Sequence, residues 1–159
     1  EGGLYQDSEV KRLKILAEIS KMNPAYIDIE LRALRRYGDR LLREFGGDVI
    51  VSWHDFRGTP AKRRLERILD DALGYGGLVK MVTMARSLDD DIRLMHLYRL
   101  TNPGRLIAFC MGEYGVLSRI MAPLLGAPFT YASLGRALAP GQMPIKVLRD
   151  LYDSIRLAS

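Results

Sequence analysis

Five short apolar segments recur along the chain, and a segment with helical periodicity follows each of them. They start about 22 to 29 residues apart, and most are apolar at successive positions rather than only at every second one. Strands with this pattern are buried on both faces, as in a parallel sheet that is covered by helices. The sequence therefore predicts an α/β fold. The five predicted strands are 25–31, 48–54, 77–85, 105–111 and 128–134.

The predicted helices have recognisable starts and ends. Ser8 and Ser87 suit N-cap positions, and Thr59-Pro60 suits the start of a third helix. Gly46-Gly47 suits the end of the helix that follows the first strand. Helices are therefore expected after Ser8 and Ser87, over about 32–45, from Thr59-Pro60 to about 73, over about 115–125, and from 140–144 to about 157.

The length limits how many of these units one domain can hold. A closed barrel of eight βα units at this repeat needs about 200 residues or more, whereas the chain has 159. We therefore expect residues 1–159 to form one domain, which is either a small open sheet or an incomplete barrel of about five βα units.

Composition excludes several classes of protein. No run of about 18 apolar residues is present, so no membrane span is expected. The only cysteine, Cys110, favours a reducing, cytoplasmic setting, and one cysteine with two histidines is too few for the usual zinc sites. Neither GxGxxG nor GxxxxGK[ST] occurs, so no nucleotide cofactor is expected. The net charge is +5, but arginines alternate with acids along helical segments, which indicates solvated helix faces rather than a nucleic-acid surface.

Lys80 and His54 are the strongest candidates for chemistry. Lys80 lies inside an apolar strand, where it must be ion-paired or deprotonated; desolvation would lower its pKa and make it a nucleophile towards carbonyls. The alternative is a lysine at a strand end whose ammonium group reaches solvent. His54 ends the preceding strand and is either a general acid/base or a histidine hydrogen-bonded in a loop. Because the two residues are one βα repeat apart, we expect them at the same rim of the sheet.

Other polar residues are predicted near that rim. Arg119 begins the helix after the fourth strand, where it can bind a carboxylate or phosphate, or else form a surface ion pair. Gln142 lies in the last loop and can hydrogen-bond a ligand there. The sequence leaves open whether Asp28 and Glu30, within the first strand, point to the centre of a barrel or mark an edge. His96 lies mid-helix and is interpreted as structural.

Six segments, in this order and at this spacing, resemble the type I 3-dehydroquinate dehydratase family of the shikimate pathway. They are EGG (1–3), DIEL (28–31), SWHDF with TP (52–60), VKMV (79–82), CMGEYGVLSR (110–119) and APGQ (139–142). The resemblance covers essentially the whole chain. It implies a (β/α)₈ barrel that dehydrates 3-dehydroquinate to 3-dehydroshikimate without a metal or cofactor, on the route to aromatic amino acids. The partner that it implies is the small-molecule substrate 3-dehydroquinate. Whether the chain forms a homodimer is left open.

The same resemblance implies catalytic roles. Lys80 matches the lysine that forms a Schiff base with the substrate ketone. His54 matches the histidine that removes a proton from the neighbouring carbon and then protonates the departing hydroxyl. Glu1, in the EGG segment, matches the glutamate that orients this histidine.

Binding roles follow in the same way. Arg119 and Gln142 match residues that hold the substrate carboxylate and hydroxyls, and Met111 matches a methionine that lines the pocket. The family often has Ser or Thr where this chain has Leu138, so we expect one substrate hydrogen bond to be supplied differently.

The resemblance begins only after the third barrel strand of the family. We therefore expect a dehydratase chain that lacks the first three strands. It would then also lack an arginine and a Glu-x-Arg pair that bind substrate in the family. Five strands cannot close a barrel and leave two unpaired edges, so such a chain should be poorly active and prone to associate. Two alternatives remain, namely a class I aldolase-like cleavage through the same lysine and a non-catalytic scaffold derived from the enzyme.

Overall fold

The structure is a computed structural model that describes residues 5–157, and in that range four strands alternate with α-helices. The strands are β1 (Tyr26–Glu30), β2 (Asp48–Asp55), β3 (Leu78–Met84) and β4 (Leu106–Met111). The helices are α1 (Glu9–Ser20), α2 (Leu31–Tyr37), α3 (Lys62–Gly74), α4 (Leu88–Met95), α5 (Val116–Leu124) and α6 (Ile145–Leu157). Short 3₁₀ segments lie at Asp39–Glu44, His96–Leu100 and Glu113–Gly115.

The four strands form one parallel sheet in the order β1-β2-β3-β4. Glu30 is in register with Ser52, Ser52 with Lys80, and Lys80 with Ile107. Paired residues of a sheet point to the same face, so this register brings one row of side chains from all four strands together. The α/β fold class, with an incomplete parallel sheet, is confirmed.

The two faces of this sheet differ in polarity. On one face apolar side chains pack into the core, which also includes Leu65, Leu69 and Leu94 from the covering helices. The alternate positions carry acids, a lysine and a histidine on the opposite face, beside the apolar Ile107 and Phe109 of β4. The fully buried apolar strand residues of the core face include Ile29, Val51, Val79, Met81 and Ala108.

The predicted fifth strand is wrong. Residues 128–134 make no ladder with β4, and only an isolated bridge joins Ser133 to Pro144. Pro128 has no N–H to donate to a neighbouring strand. The backbone of Ser133 is already used, because its N–H donates to Met143 O and its carbonyl accepts from the N–H of Ile145. The segment is therefore a loop that turns back on the start of α6.

Two helix boundaries also differ from the prediction. The helix expected over 32–45 ends at Tyr37, because Gly38 has φ of +72° and breaks it. Helix α3 begins after Ala61 rather than at Thr59-Pro60. The Thr59 hydroxyl does not cap this helix, since it contacts Thr83 Oγ1 at 2.8 Å and donates to Met84 O at 3.0 Å.

The serine N-caps are confirmed. Ser8 accepts from the N–H of Lys11, and Ser87 accepts from the N–H of Asp90. In the described part of the chain, no helix is long and apolar enough to cross a membrane.

Candidate active site

An open pocket of about 480 Å³ lies on the polar face of the sheet. Alternate residues of each strand line it, as the period of two in a strand requires. The strand residues in its wall are Asp28 and Glu30 of β1, Ser52 and His54 of β2, Lys80 and Val82 of β3, and Phe109 and Met111 of β4.

The structure brings five of the six predicted site residues to this pocket. They are His54, Lys80, Met111, Arg119 and Gln142. Glu1 lies outside the described residues. His96 begins a 3₁₀ segment and does not line the pocket.

Lys80 forms an ion pair at the centre of the sheet. Its Nζ donates to Asp28 Oδ2 at 2.5 Å, and its side chain is only 13% exposed. The ammonium group also lies 5.4 Å from the centroid of the Tyr131 ring, within the range of a cation–π contact. Lys80 is thus a nearly buried, paired lysine rather than one whose ammonium reaches freely into solvent.

Asp28 resolves an alternative that the sequence left open. It lies on β1, two strands away from Lys80, and points to the pocket rather than to the outer side of the sheet. The signal was present in the sequence, because Asp28 and Glu30 alternate with the apolar Ile27 and Ile29. Such alternation in an otherwise buried strand indicates one polar face.

His54 lies on the neighbouring strand β2, two residues closer to the carboxyl end of the sheet than the level of Lys80. It is in register with Val82, which follows Lys80 on the same face of β3. Its ring stacks on that of Phe56, with 5.9 Å between centroids and 7° between planes. The half-buried imidazole is therefore held at the carboxyl end of β2, next to the lysine.

Arg119 is buried rather than part of a surface ion pair. It is 3% exposed, and its guanidinium lies 4.3 Å from the centroid of the Phe109 ring. Its Nη2 donates to the carbonyl of Pro140 at 3.4 Å. Burial lowers the pKa of Arg119 to about 10, so the group stays cationic at neutral pH. A desolvated cation in a pocket wall is suited to binding an anion.

Gln142 belongs to a loop that reaches over the end of β4. Its Oε1 accepts from the N–H of Leu138 at 2.9 Å, which closes the loop on itself. The carbonyl of Pro140 accepts from the N–H of Gly112 at 3.2 Å and ties the loop to the segment after β4. Leu138 lines the pocket but is 91% exposed, and it offers no side-chain hydrogen bond.

Several pocket residues were not singled out from the sequence. Arg12 reaches the pocket from α1, where it bonds to Glu9 at 2.6 Å and lies 3.8 Å from Glu30. Its helical position resembles that of a solvent-facing arginine, so nothing in the sequence marks it. Phe56 and Tyr131 supply aromatic walls, and both lie in segments predicted as loop or strand for which no role was expected.

The family model and the relatives described below point to the same protein family. The model of the family described as type I 3-dehydroquinase matches residues 1–159. The chain is 38% identical over 151 residues to 3-dehydroquinate dehydratase of Pyrococcus abyssi, covering 94% of this chain and 69% of the relative. It is 40% identical over 155 residues to that of Thermococcus gammatolerans, covering 95% and 70%.

Solved structures agree with the sequence relatives. The 3-dehydroquinate dehydratase of Geobacillus kaustophilus superposes with a TM-score of 0.88 at 29% identity, over 100% of this chain and 65% of that chain. The type I enzyme of Clostridium difficile, solved with covalently modified comenic acid, has a TM-score of 0.85 at 26% identity, over 100% and 66%. The chain thus spans about two thirds of the length of these four relatives.

Proposed function

Since this chain belongs to the type I 3-dehydroquinase family, we propose that its pocket binds 3-dehydroquinate and dehydrates it through a Schiff base on Lys80. The observation that carries the proposal is the position of Lys80. This lysine is nearly buried in the centre of the pocket, paired with Asp28, and flanked on the next strand by His54.

The reaction begins with attack of Lys80 Nζ on the substrate ketone, with loss of water to give an iminium ion. The amine must be neutral to attack, and the carboxylate of Asp28 is placed to take its proton. The iminium ion then draws electron density from the neighbouring carbon and makes its proton acidic.

His54 is proposed to complete the elimination as general base and then general acid. It removes the acidified proton, and the electron pair forms an enamine. The enamine expels the hydroxyl group, which His54 protonates so that it leaves as water. Hydrolysis of the product imine releases 3-dehydroshikimate and restores Lys80. By family resemblance Glu1 orients His54.

Substrate binding is assigned to the other side of the pocket. Arg119 is placed to hold the carboxylate through charge-assisted hydrogen bonds, because it is cationic and nearly buried in the wall. Gln142 is placed to bond a hydroxyl group from the loop over β4, and Met111 supplies an apolar contact. Leu138 cannot replace the hydroxyl that the family often has at its position.

We further propose that residues 1–159 form one domain that corresponds to the C-terminal part of a barrel. Four parallel strands in sequential order support this assignment, together with the match over about two thirds of the solved structures. The described residues contribute four strands to the pocket, half the number in a closed barrel. We therefore expect residues 1–159 alone to turn substrate over more slowly than a closed barrel.

The proposal is tested by conversion of 3-dehydroquinate, followed through the absorbance of the conjugated product. Purified chain is compared with Lys80→Met and with His54→Gln. We expect measurable conversion that both variants lower by at least about a hundredfold, as the loss of a general acid/base or nucleophile does. Equal conversion by the wild type and Lys80→Met would remove the proposed mechanism. A product with a cleaved carbon–carbon bond would instead indicate aldolase-like chemistry.

A further inference from the structure

The first turn of α4 carries three consecutive acids that have different environments. Asp89 is exposed, and Asp90 bonds to Arg93 at 2.8 Å and accepts from the N–H of Arg86. Asp91 is 0% exposed. A helix N-terminus favours acids at its surface, but that interaction does not require burial of a carboxylate. Burial raises the pKa of Asp91, which means that keeping it ionised costs folding free energy. A buried acid of this kind needs a further explanation.

Asp91 accepts a hydrogen bond from a different helix, α5. Its Oδ2 accepts from the backbone N–H of Ser118 at 2.8 Å. Ser118 is the third residue of α5, whose N-terminal N–H groups have no partner within the helix. The N-cap of α5 is Gly115, which has no side chain to supply an acceptor. Asp91 therefore caps α5 from outside, across the gap between two βα units.

Ser118 connects this cap to the sheet. Its hydroxyl donates to the carbonyl of Gly115 at 3.0 Å and accepts from the N–H of Cys110 at 2.8 Å. Asp91 and Ser118 are both fully buried, so this network excludes water. It fixes the first turn of α5 relative to the end of β4. The next residue in the chain is Arg119.

We propose that Asp91 is a positioning residue that holds Arg119 over Phe109 and in the pocket. The guanidinium is 4.3 Å from the Phe109 ring centroid and is carried by the residue adjacent to the capped Ser118. A small movement of the first turn of α5 would be transmitted directly to Arg119. The functional part of this inference, that Arg119 then binds the substrate carboxylate, rests on the proposed function.

The test compares variants at one position. Asp91→Ala removes the acceptor, Asp91→Val removes it while filling more of the space, and Asp91→Asn keeps an acceptor oxygen without the charge. Asp89→Ala is the matched control, because Asp89 lies in the same helical turn but is exposed. Folding of each variant is checked by thermal unfolding before further measurement.

The first readout does not depend on activity. The Nε–H signal of Arg119 in a proton–nitrogen spectrum should show a ring-current shift from Phe109, and its absence in Arg119→Met assigns it. We expect Asp91→Ala or Asp91→Val to reduce this shift, whereas Asp91→Asn and Asp89→Ala keep it. An unchanged Arg119 signal in the variants without an acceptor would overturn the inference.

The second readout is the 3-dehydroquinate concentration that gives half-maximal borohydride-trapped adduct on Lys80. We expect Asp91→Ala to raise it about tenfold with the maximal adduct unchanged, as the loss of one charge-assisted contact would. Asp91→Asn should stay within about twofold. In an Arg119→Met background, Asp91→Ala should add no further loss; an additive loss would contradict positioning through Arg119. If the wild type forms no adduct, the proposed function fails, and the Arg119 signal alone decides whether Asp91 positions this residue.

Discussion

At the scale of single residues, the pocket depends on charges that are placed away from water. Lys80 has its counter-ion on β1, although β2 lies between the two strands. Removing one partner of a buried pair leaves the other charge uncompensated, which costs more free energy than the pair itself contributes. Asp28 is 39% exposed, and solvent therefore reduces this cost.

We expect Asp28→Asn to lower the free energy of unfolding by about 1–3 kcal/mol. The same substitution in a Lys80→Met background should cost less, because no ammonium group then remains unpaired. Urea unfolding of the four chains in this double-mutant cycle measures the difference. If Asp28→Asn costs the same with and without Lys80, the ion pair does not contribute as described.

Asp91 gives a pH dependence with a defined sign. Burial raises its pKa in the folded state above the unfolded value of about 3.9, so the folded chain binds a proton that the unfolded chain has lost. The stabilisation of the folded state that results from this proton binding is present below the unfolded pKa. It is lost as the pH rises through the raised, folded pKa. The groups that face Asp91 are the Arg119 guanidinium, which opposes the shift, and the Cys110 thiol.

We therefore expect the wild type to lose stability relative to Asp91→Asn as the pH rises above about 4. Comparison with this variant cancels the titration of other carboxyl groups. The measurement is the difference in unfolding free energy between the two chains over a series of pH values. A difference that grows in favour of the wild type with rising pH would show that the carboxylate is stabilised, not penalised, by its site.

At the scale of elements, the loop over β4 depends on glycine at one position. Gly141 has φ of +75°, and a Cβ there would collide with the carbonyl oxygen of Gly112. A left-handed conformation alone costs a residue other than glycine roughly 1–2 kcal/mol. The loop that contains Gln142 can therefore not keep its present path with any larger residue at 141.

We expect Gly141→Ala to displace Gln142 and raise the half-saturating concentration of 3-dehydroquinate by about tenfold. Gly135→Ala is the matched control, because a Cβ at Gly135 meets nothing within 4 Å and its φ is not positive. Trapping of the Lys80 adduct over a range of substrate concentrations measures both. Equal behaviour of the two variants would mean that the loop path does not determine binding.

The sequence predicted the elements whose signals are local. Apolar runs identified β1 to β4, and Ser8 and Ser87 identified two helix starts. Residues 128–134 have the same apolar pattern, but their backbone pairs with the start of α6, which periodicity cannot show.

The candidate site was predictable to a similar extent. The βα repeat correctly placed His54 and Lys80 together. The sequence could not show whether Asp28 or another acid pairs with Lys80, because the two partners are 52 positions apart. Arg12 and Asp91 lie on helices in patterns typical of surface residues, and only tertiary packing shows that they reach the interior.

At the scale of the whole molecule, the open sheet is the main physical feature. Among the described residues, β1 and β4 each have a strand neighbour on one side only. Helix α1, which precedes β1, also exposes apolar side chains, with Ile15 48% and Ile19 44% exposed. Unpaired strand edges next to exposed apolar surface favour association.

We expect the isolated chain to form larger species as its concentration rises in sedimentation velocity. Ile15→Lys with Ile19→Lys should reduce this association, whereas Leu124→Lys on α5, where Leu124 is 48% exposed, should not. A chain that stays monomeric at all concentrations would contradict this expectation.

The proposed reaction requires a Schiff base between Lys80 and 3-dehydroquinate in this pocket, which borohydride trapping with mass mapping can detect. Lys62, on α3 and more than half exposed, provides the matched control. We expect one reduced adduct per chain on the peptide that contains Lys80, retained in Lys62→Met and absent in Lys80→Met. No adduct, or one that persists in Lys80→Met, would show that Lys80 does not form the Schiff base.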